Sequence, residues 1–152
     1  MSFVDSAAAT VHLLFAGLWT GSVLFAAYAV LPLAAAGDLR VTAFRPLVGK
    51  LTTVSRVSAL ALFASGGHMA GTGYTVESLF GSARGHLVLT MVLLWFVLAA
   101  LVEVGAATLR DGLDAGKVRS PARDARRTFH AAAAVAVLLL VVAGFLAGGL
   151  PF

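Results

Sequence analysis

The chain has 152 residues, of which 60% are hydrophobic and only 12% charged, against roughly 25% charged in ordinary soluble domains. Together with a mean hydropathy of +0.96, this excludes a soluble globular protein and points to an integral membrane protein. The absence of cysteine excludes a disulfide framework, a thiolate metal site and an iron–sulfur cluster, and the net charge of +4 gathers in short connections between apolar stretches, so topology accounts for it without a nucleic-acid partner.

A membrane-spanning helix needs about 20 apolar residues, and four stretches reach that length, approximately 7–33, 47–72, 84–109 and 128–150. The first has no basic segment before it and exceeds the apolar region of a signal peptide, so it is expected to be a retained span. Gly37 and Asp38 end it, and Pro46 sits where a first-turn proline would start the second helix. Ser120 and Pro121 fall in the last polar connection and are expected to interrupt it. The expected fold is all-α, a four-helix transmembrane bundle forming a single domain.

Orientation follows from the cations. Arg40, Arg45 and Lys50 lie in or beside the first connection, and Arg110, Lys117, Arg119, Arg123, Arg126 and Arg127 lie in the third, whereas the second connection carries only Arg84. The positive-inside rule then assigns the first and third connections to the cytoplasm of a cell-membrane protein, with both termini outside. Gly17 and Gly21, Gly67 and Gly71, and Gly144 and Gly148 form three small-xxx-small pairs, which are expected to let helices approach closely in lipid.

In that topology three of the four histidines share the outer side: His12 near the start of span 1, His68 near the end of span 2 and His86 at the start of span 3. Imidazole is a common ligand of copper, zinc and haem iron. Met69, a soft thioether, follows His68, but adjacent helical residues point about 100° apart. Trp19 lies about two turns from His12 and shares its face. Arg84 is the lone outer cation, suited to an anionic headgroup or a haem propionate. On the residues alone these are candidate ligands or histidines satisfied by headgroups and backbone, and both readings stand.

A second group is expected in the inner half. Arg56, Glu103 and His130 are ionisable residues inside spans, where charge is costly and a partner is expected. Arg56 with Glu103 is the natural pair, either a register lock or, with His130, a relay.

The run His12-Leu-Leu-Phe-Ala-Gly-Leu-Trp19-Thr-Gly21-Ser, closing at Leu31-Pro32, resembles the opening helix of the copper resistance D (CopD) family. Ser55-Arg56-Val-Ser58-Ala-Leu-Ala-Leu resembles that family's following serine-bearing helix, and Leu79-Phe80-Gly81 to Gly85-His86-Leu-Val-Leu its entry after an outer loop. A more distant similarity is to HemJ-type four-span haem proteins, though Thr90 stands near the place where such relatives often show a third-span lysine. The CopD resemblance implies copper handling or passage at the membrane, with copper met by His12, His68 and His86 and assisted by Met69. A haem b protein with two of these histidines as axial ligands, and Trp19 or Arg84 lining the pocket, is the alternative, and an oxidoreductase if it is an enzyme at all. A non-catalytic scaffold is the third reading. Expected partners are the bilayer, a metal or haem, and a second copy or another membrane subunit.

Overall fold

The computed structural model describes residues 2–148, which are predominantly helical and contain no strand. Helix α1 (Phe3–Phe25) continues through one π-helical turn (Ala26–Val30) into α2 (Leu31–Ala36), and together they make the first rod. Helix α3 (Val41–Gly73) is the second rod, the short α4 (Val76–Gly81) forms a corner, α5 (Ala83–Asp114) is the third rod and α6 (Arg119–Gly148) the fourth. All four rods are long and apolar enough to cross a membrane. The chain is a multi-pass membrane protein of the expected all-α, four-helix class.

The rods outrun the apolar stretches that announced them. Spans expected at 7–33, 47–72 and 84–109 belong to rods covering 3–36, 41–73 and 83–114, and the last begins at Arg119 rather than 128. Residues 149 and 150 of that expected span lie outside the described residues. Backbone i to i−4 bonding does not require apolar side chains, so a helix continues through polar flanks until capping or proline stops it. Pro46 accordingly lies inside α3 instead of starting it. Pro121 is absorbed in the first turn of α6, where its missing N–H has no intrahelical partner to lose. The third connection is thus reduced to 115–118.

Helix α1 packs on α3 and α6, and α5 packs on α3 and α6, so the rods close an antiparallel ring in the order α1, α3, α5, α6. Alternating direction brings the starts of α1 and α5 and the close of α3 to one end of the bundle. That end holds His12, His68 and His86 and is called the histidine end below. The opposite end carries the two arginine-rich connections.

The contact between α1 and α3 is anchored at mid-length. Trp19, 1% exposed, donates its indole N–H to the hydroxyl of Ser55 at 2.7 Å. Along α3 the residues Thr52, Ser55, Ser58 and Ser65 are all buried, which makes the inward face of this helix narrow and hydroxylated. Phe44, Phe129, Leu98, Leu109 and Leu113 fill much of the remaining core.

The expected glycine pairs do not make the close helix approaches. A Cβ at Gly17, Gly21, Gly67, Gly71, Gly144 or Gly148 would meet nothing within 4 Å, so within one chain these positions face outward. The intimate contacts use α5 instead, where Gly105 receives the Phe129 ring and Gly112 receives Pro121. A regular apolar spacing does not reveal which glycines face a neighbour.

Two local features shape the ends of the rods. In the first rod the π turn precedes Pro32, and the Leu31 N–H bonds the Ala26 carbonyl five residues back. A proline ring clashes with the carbonyl four residues before it, and a wider turn relieves that clash. At the corner, Thr75 and Ser78 form a reciprocal cap for α4, and the Ser82 hydroxyl accepts the Gly85 N–H at 3.0 Å to begin α5. Gly85 is fixed by space: a Cβ there would sit 2.2 Å from the Leu79 carbonyl oxygen and 2.4 Å from that of Ser78.

Two outcomes follow. Gly85→Ala is expected to open the α4–α5 corner and lower stability by about 1–3 kcal/mol, measured by thermal unfolding in mild detergent. Trp19→Phe loses the hydrogen bond and also leaves a cavity in the core, and the hydrogen bond itself is expected to contribute about 0.6–1.7 kcal/mol, as interhelical bonds in membrane bundles do. In a double-mutant cycle with Ser55→Ala the two losses should fall clearly short of additive, and simple additivity would show that this bond contributes nothing.

Candidate functional site at the histidine end

Helices α1 and α3 meet at the histidine end through two further polar contacts. His12 Nδ1 lies 3.0 Å from Ser65 Oγ. Ser65 in turn donates its hydroxyl hydrogen to the Ala61 carbonyl at 2.6 Å. With that hydrogen engaged, the serine oxygen can only accept, so His12 is the donor at Nδ1. A neutral imidazole with its proton on Nδ1 carries a lone pair on Nε2. This is the usual preparation of a metal-ligating histidine, in which the distal nitrogen is held by a hydrogen bond that fixes ring and tautomer.

Gly66 completes the seat. A Cβ at this position would stand 3.0 Å from His12 Cε1 and 3.4 Å from Nδ1, so the α3 backbone lies against the ring edge and any larger residue would press on it. The half-buried imidazole is therefore positioned by Ser65 on one atom and by Gly66 on its edge.

His68, one turn further along α3, places Nε2 at 3.1 Å from Asp5 Oδ1. The same carboxylate accepts the Ser2 N–H at 2.8 Å through Oδ2, while the Ser2 hydroxyl accepts the Asp5 N–H. Asp5 thus caps α1 and ties that cap to the end of α3. Met69 is 39% exposed and is the soft donor nearest this pair in sequence.

His86 belongs to a different contact. Its Nε2–H donates to the Phe80 carbonyl at 2.8 Å, which holds the ring on the α4 corner. The structure therefore gathers His12 and His68 at the α1–α3 interface and ties His86 to α4. Among the described residues no group of three or more His, Cys, Asp or Glu side chains is arranged to hold a metal ion. Arg84, in the first turn of α5, is exposed and makes no ion pair among the described residues. Trp19 shares the side of α1 used by His12, but its indole is committed to Ser55 in the core.

The inner group is only partly assembled. Arg56 donates from Nε to Glu103 Oε1 at 2.7 Å and from Nη2 to Oε2 at 2.9 Å, a two-pronged ion pair between α3 and α5. Arg110 approaches the same carboxylate at 3.9 Å and donates to the Thr52 hydroxyl at 3.2 Å. His130 is not a member: it stacks on Tyr28 with ring centroids 5.2 Å apart and planes 17° apart. The expected three-residue relay is thus a pair extended by Arg110 and Thr52, with the histidine engaged elsewhere.

Asp5, Ser65 and Gly66 do most of the positioning, and none of them stood out in the sequence. A serine three residues before His68 and an acid seven before His12 were the available signals, but both are ordinary in membrane helices. Ser58 adds one further group: its hydroxyl is the buried side-chain polar atom without a hydrogen-bond partner among the described residues. It lies on the inward face of α3 between Ser55 and Ser65.

Comparison with known proteins gives a family. Residues 45–146 match the model of the family described as CopD, copper resistance protein D, a segment running from α3 to most of α6. No curated protein and no solved structure matches the chain. The match covers well over half of the sequence and includes the serine-bearing helix and the Gly85-His86 entry that resembled this family. The chain belongs to the copper resistance protein D family.

Proposed function

We propose that the chain handles copper at the outer face of the cell membrane, receiving the ion at the α1–α3 histidine end and buffering it or passing it on. The observation that carries this reading is the His12–Ser65–Ala61 relay, which leaves Nε2 of a seated imidazole with a free lone pair. Family membership supplies the metal, and imidazole is a suitable ligand for it. The outward orientation rests on the cation-rich connections at the opposite end.

In this reading His12 is the first ligand and His68 the second, with Met69 as an accessory thioether. Copper is cargo, so a site of few ligands is apt: binding must be firm enough to capture and loose enough to release. Asp5 competes for His68, because its carboxylate already occupies Nε2 of that ring. His86 enters only after leaving Phe80, which makes it a later contact rather than a founding ligand.

Copper titration of the purified protein tests the reading. His12→Ala is expected to weaken binding by at least about tenfold, equivalent to about 1.4 kcal/mol. Ser65→Ala, which removes only the partner of Nδ1, should weaken it by about 10–100-fold, and His130→Ala should leave it unchanged. Equal copper affinity in the parent and in His12→Ala would refute the proposal. An absorption spectrum of the same sample separates the haem reading: a Soret band lost in His12→Ala would make haem b, not copper, the ligand of this imidazole.

A further inference from the structure

The Arg56–Glu103 pair joins α3 to α5 from the outer surface of the bundle rather than from its core. Arg56 stands near the middle of the 33-residue α3, in the inner half of its apolar stretch. Yet its side chain is 63% exposed and that of Glu103 is 38% exposed. The pair therefore faces away from the bundle core, toward whatever surrounds the chain in the membrane. Charged side chains within spans face a protein interior or a water-filled cavity as a rule, and here the chain alone provides neither.

The bonding of the pair is also incomplete in a particular way. Arg56 uses Nε and Nη2, leaving the Nη1 donors without a partner among the described residues. Each oxygen of Glu103 accepts one hydrogen bond from Arg56 and has capacity for another. A spare guanidinium donor on Arg56 and spare acceptor capacity on Glu103, whose Oε2 Arg110 approaches at 3.9 Å, thus lie side by side on one outward face. Such a patch is complementary to itself, and a two-fold axis along the membrane normal satisfies both halves in one contact.

The surroundings suit a close approach. On α3 the outward row is Gly49, Thr53, Arg56, Leu60, Phe63 and Gly67, all exposed. A Cβ at Gly49 or Gly67 would meet nothing within 4 Å, so glycine there is unexplained by packing inside one chain, and Gly49 with Thr53 is a small-xxx-small pair of the type that seats a neighbouring helix. We infer that the α3–α5 face is an intramembrane interface between two copies of this chain, in which Arg56 of each copy bonds Glu103 of the partner subunit.

The chain has no cysteine, so single-cysteine variants can test this in native membranes. Thr53→Cys and Leu60→Cys flank Arg56 by one turn on either side and lie beside the inferred axis. Leu13→Cys, on α1 and 75% exposed, measures random collision. Under mild oxidation the two α3 variants are expected to form a disulfide-linked dimer several-fold above Leu13→Cys. Adding Glu103→Gln to Leu60→Cys should cut that dimer several-fold, and the exchange Arg56→Glu with Glu103→Arg should restore it. Cross-linking no greater than in Leu13→Cys, adducts only with other proteins, or a dimer indifferent to Glu103→Gln would each overturn the inference.

Discussion

The structure hangs on the register between α1 and α3. Three side-chain contacts cross that interface, Asp5 with His68, His12 with Ser65 and Trp19 with Ser55, and they succeed one another as two antiparallel helices require. A slide of either helix by a single residue would rotate its contacts by about 100° and break all three. In lipid no hydrophobic force drives one helix against another, so packing and polar contacts carry the specificity. The small hydroxylated face of α3 is what allows it: serine and threonine let α1 come near and then bond what comes near.

On its other flank α3 is joined to α5 in the same manner. Arg45 donates to Asp114 and the Leu113 carbonyl, Arg110 to Thr52, Arg56 to Glu103, and Trp95 to the Ala59 carbonyl. The contact between α5 and α6 differs in kind, since Gly105 and Gly112 admit Phe129 and Pro121 with no side-chain hydrogen bond between the two helices among the described residues. Helix α3 is thus the polar spine of the bundle, and the ring is closed by steric fit. The seat of His12 is built from this spine, because both Ser65 and Gly66 belong to it.

Much of this was legible in the sequence. Four apolar stretches and their polar flanks gave the class of fold, and the chain direction they imply put His12, His68 and His86 at one end. Arg56 and Glu103 were recognisable as partners because an isolated charge at that depth is costly. What could not be read was direction around each helix. His86 is one residue past Gly85, and that glycine, forced by the Leu79 and Ser78 carbonyls, turns it to Phe80 and α4. His130 lies where the polar flank of its span gives way to the apolar stretch, a position that offers no hint of Tyr28 as its stacking partner. The glycine pairs failed for the same reason, since spacing selects a face without saying whether a helix or lipid lies opposite it. Pro121 is not read as helical because its compatibility depends on distance from the helix start, which apolar composition does not mark.

The π turn at Ala26–Val30 has a consequence for how the first rod is counted. Trp19, Val23 and Ala27 point inward, and so do Leu31 and Ala34 beyond the turn. A π turn holds one residue more than an α turn, so it resets the phase of everything that follows it. The rod therefore behaves as two helical rulers joined by a one-residue offset. Straightening this turn into plain α-helix with every residue retained would swing the Leu31–Ala36 segment by about 100° about its own axis, whereas loss of one residue from it would leave a regular helix with the same face inward. For this stretch of the membrane protein, the surplus residue held in the turn, which precedes Pro32, keeps both halves of the rod on one face.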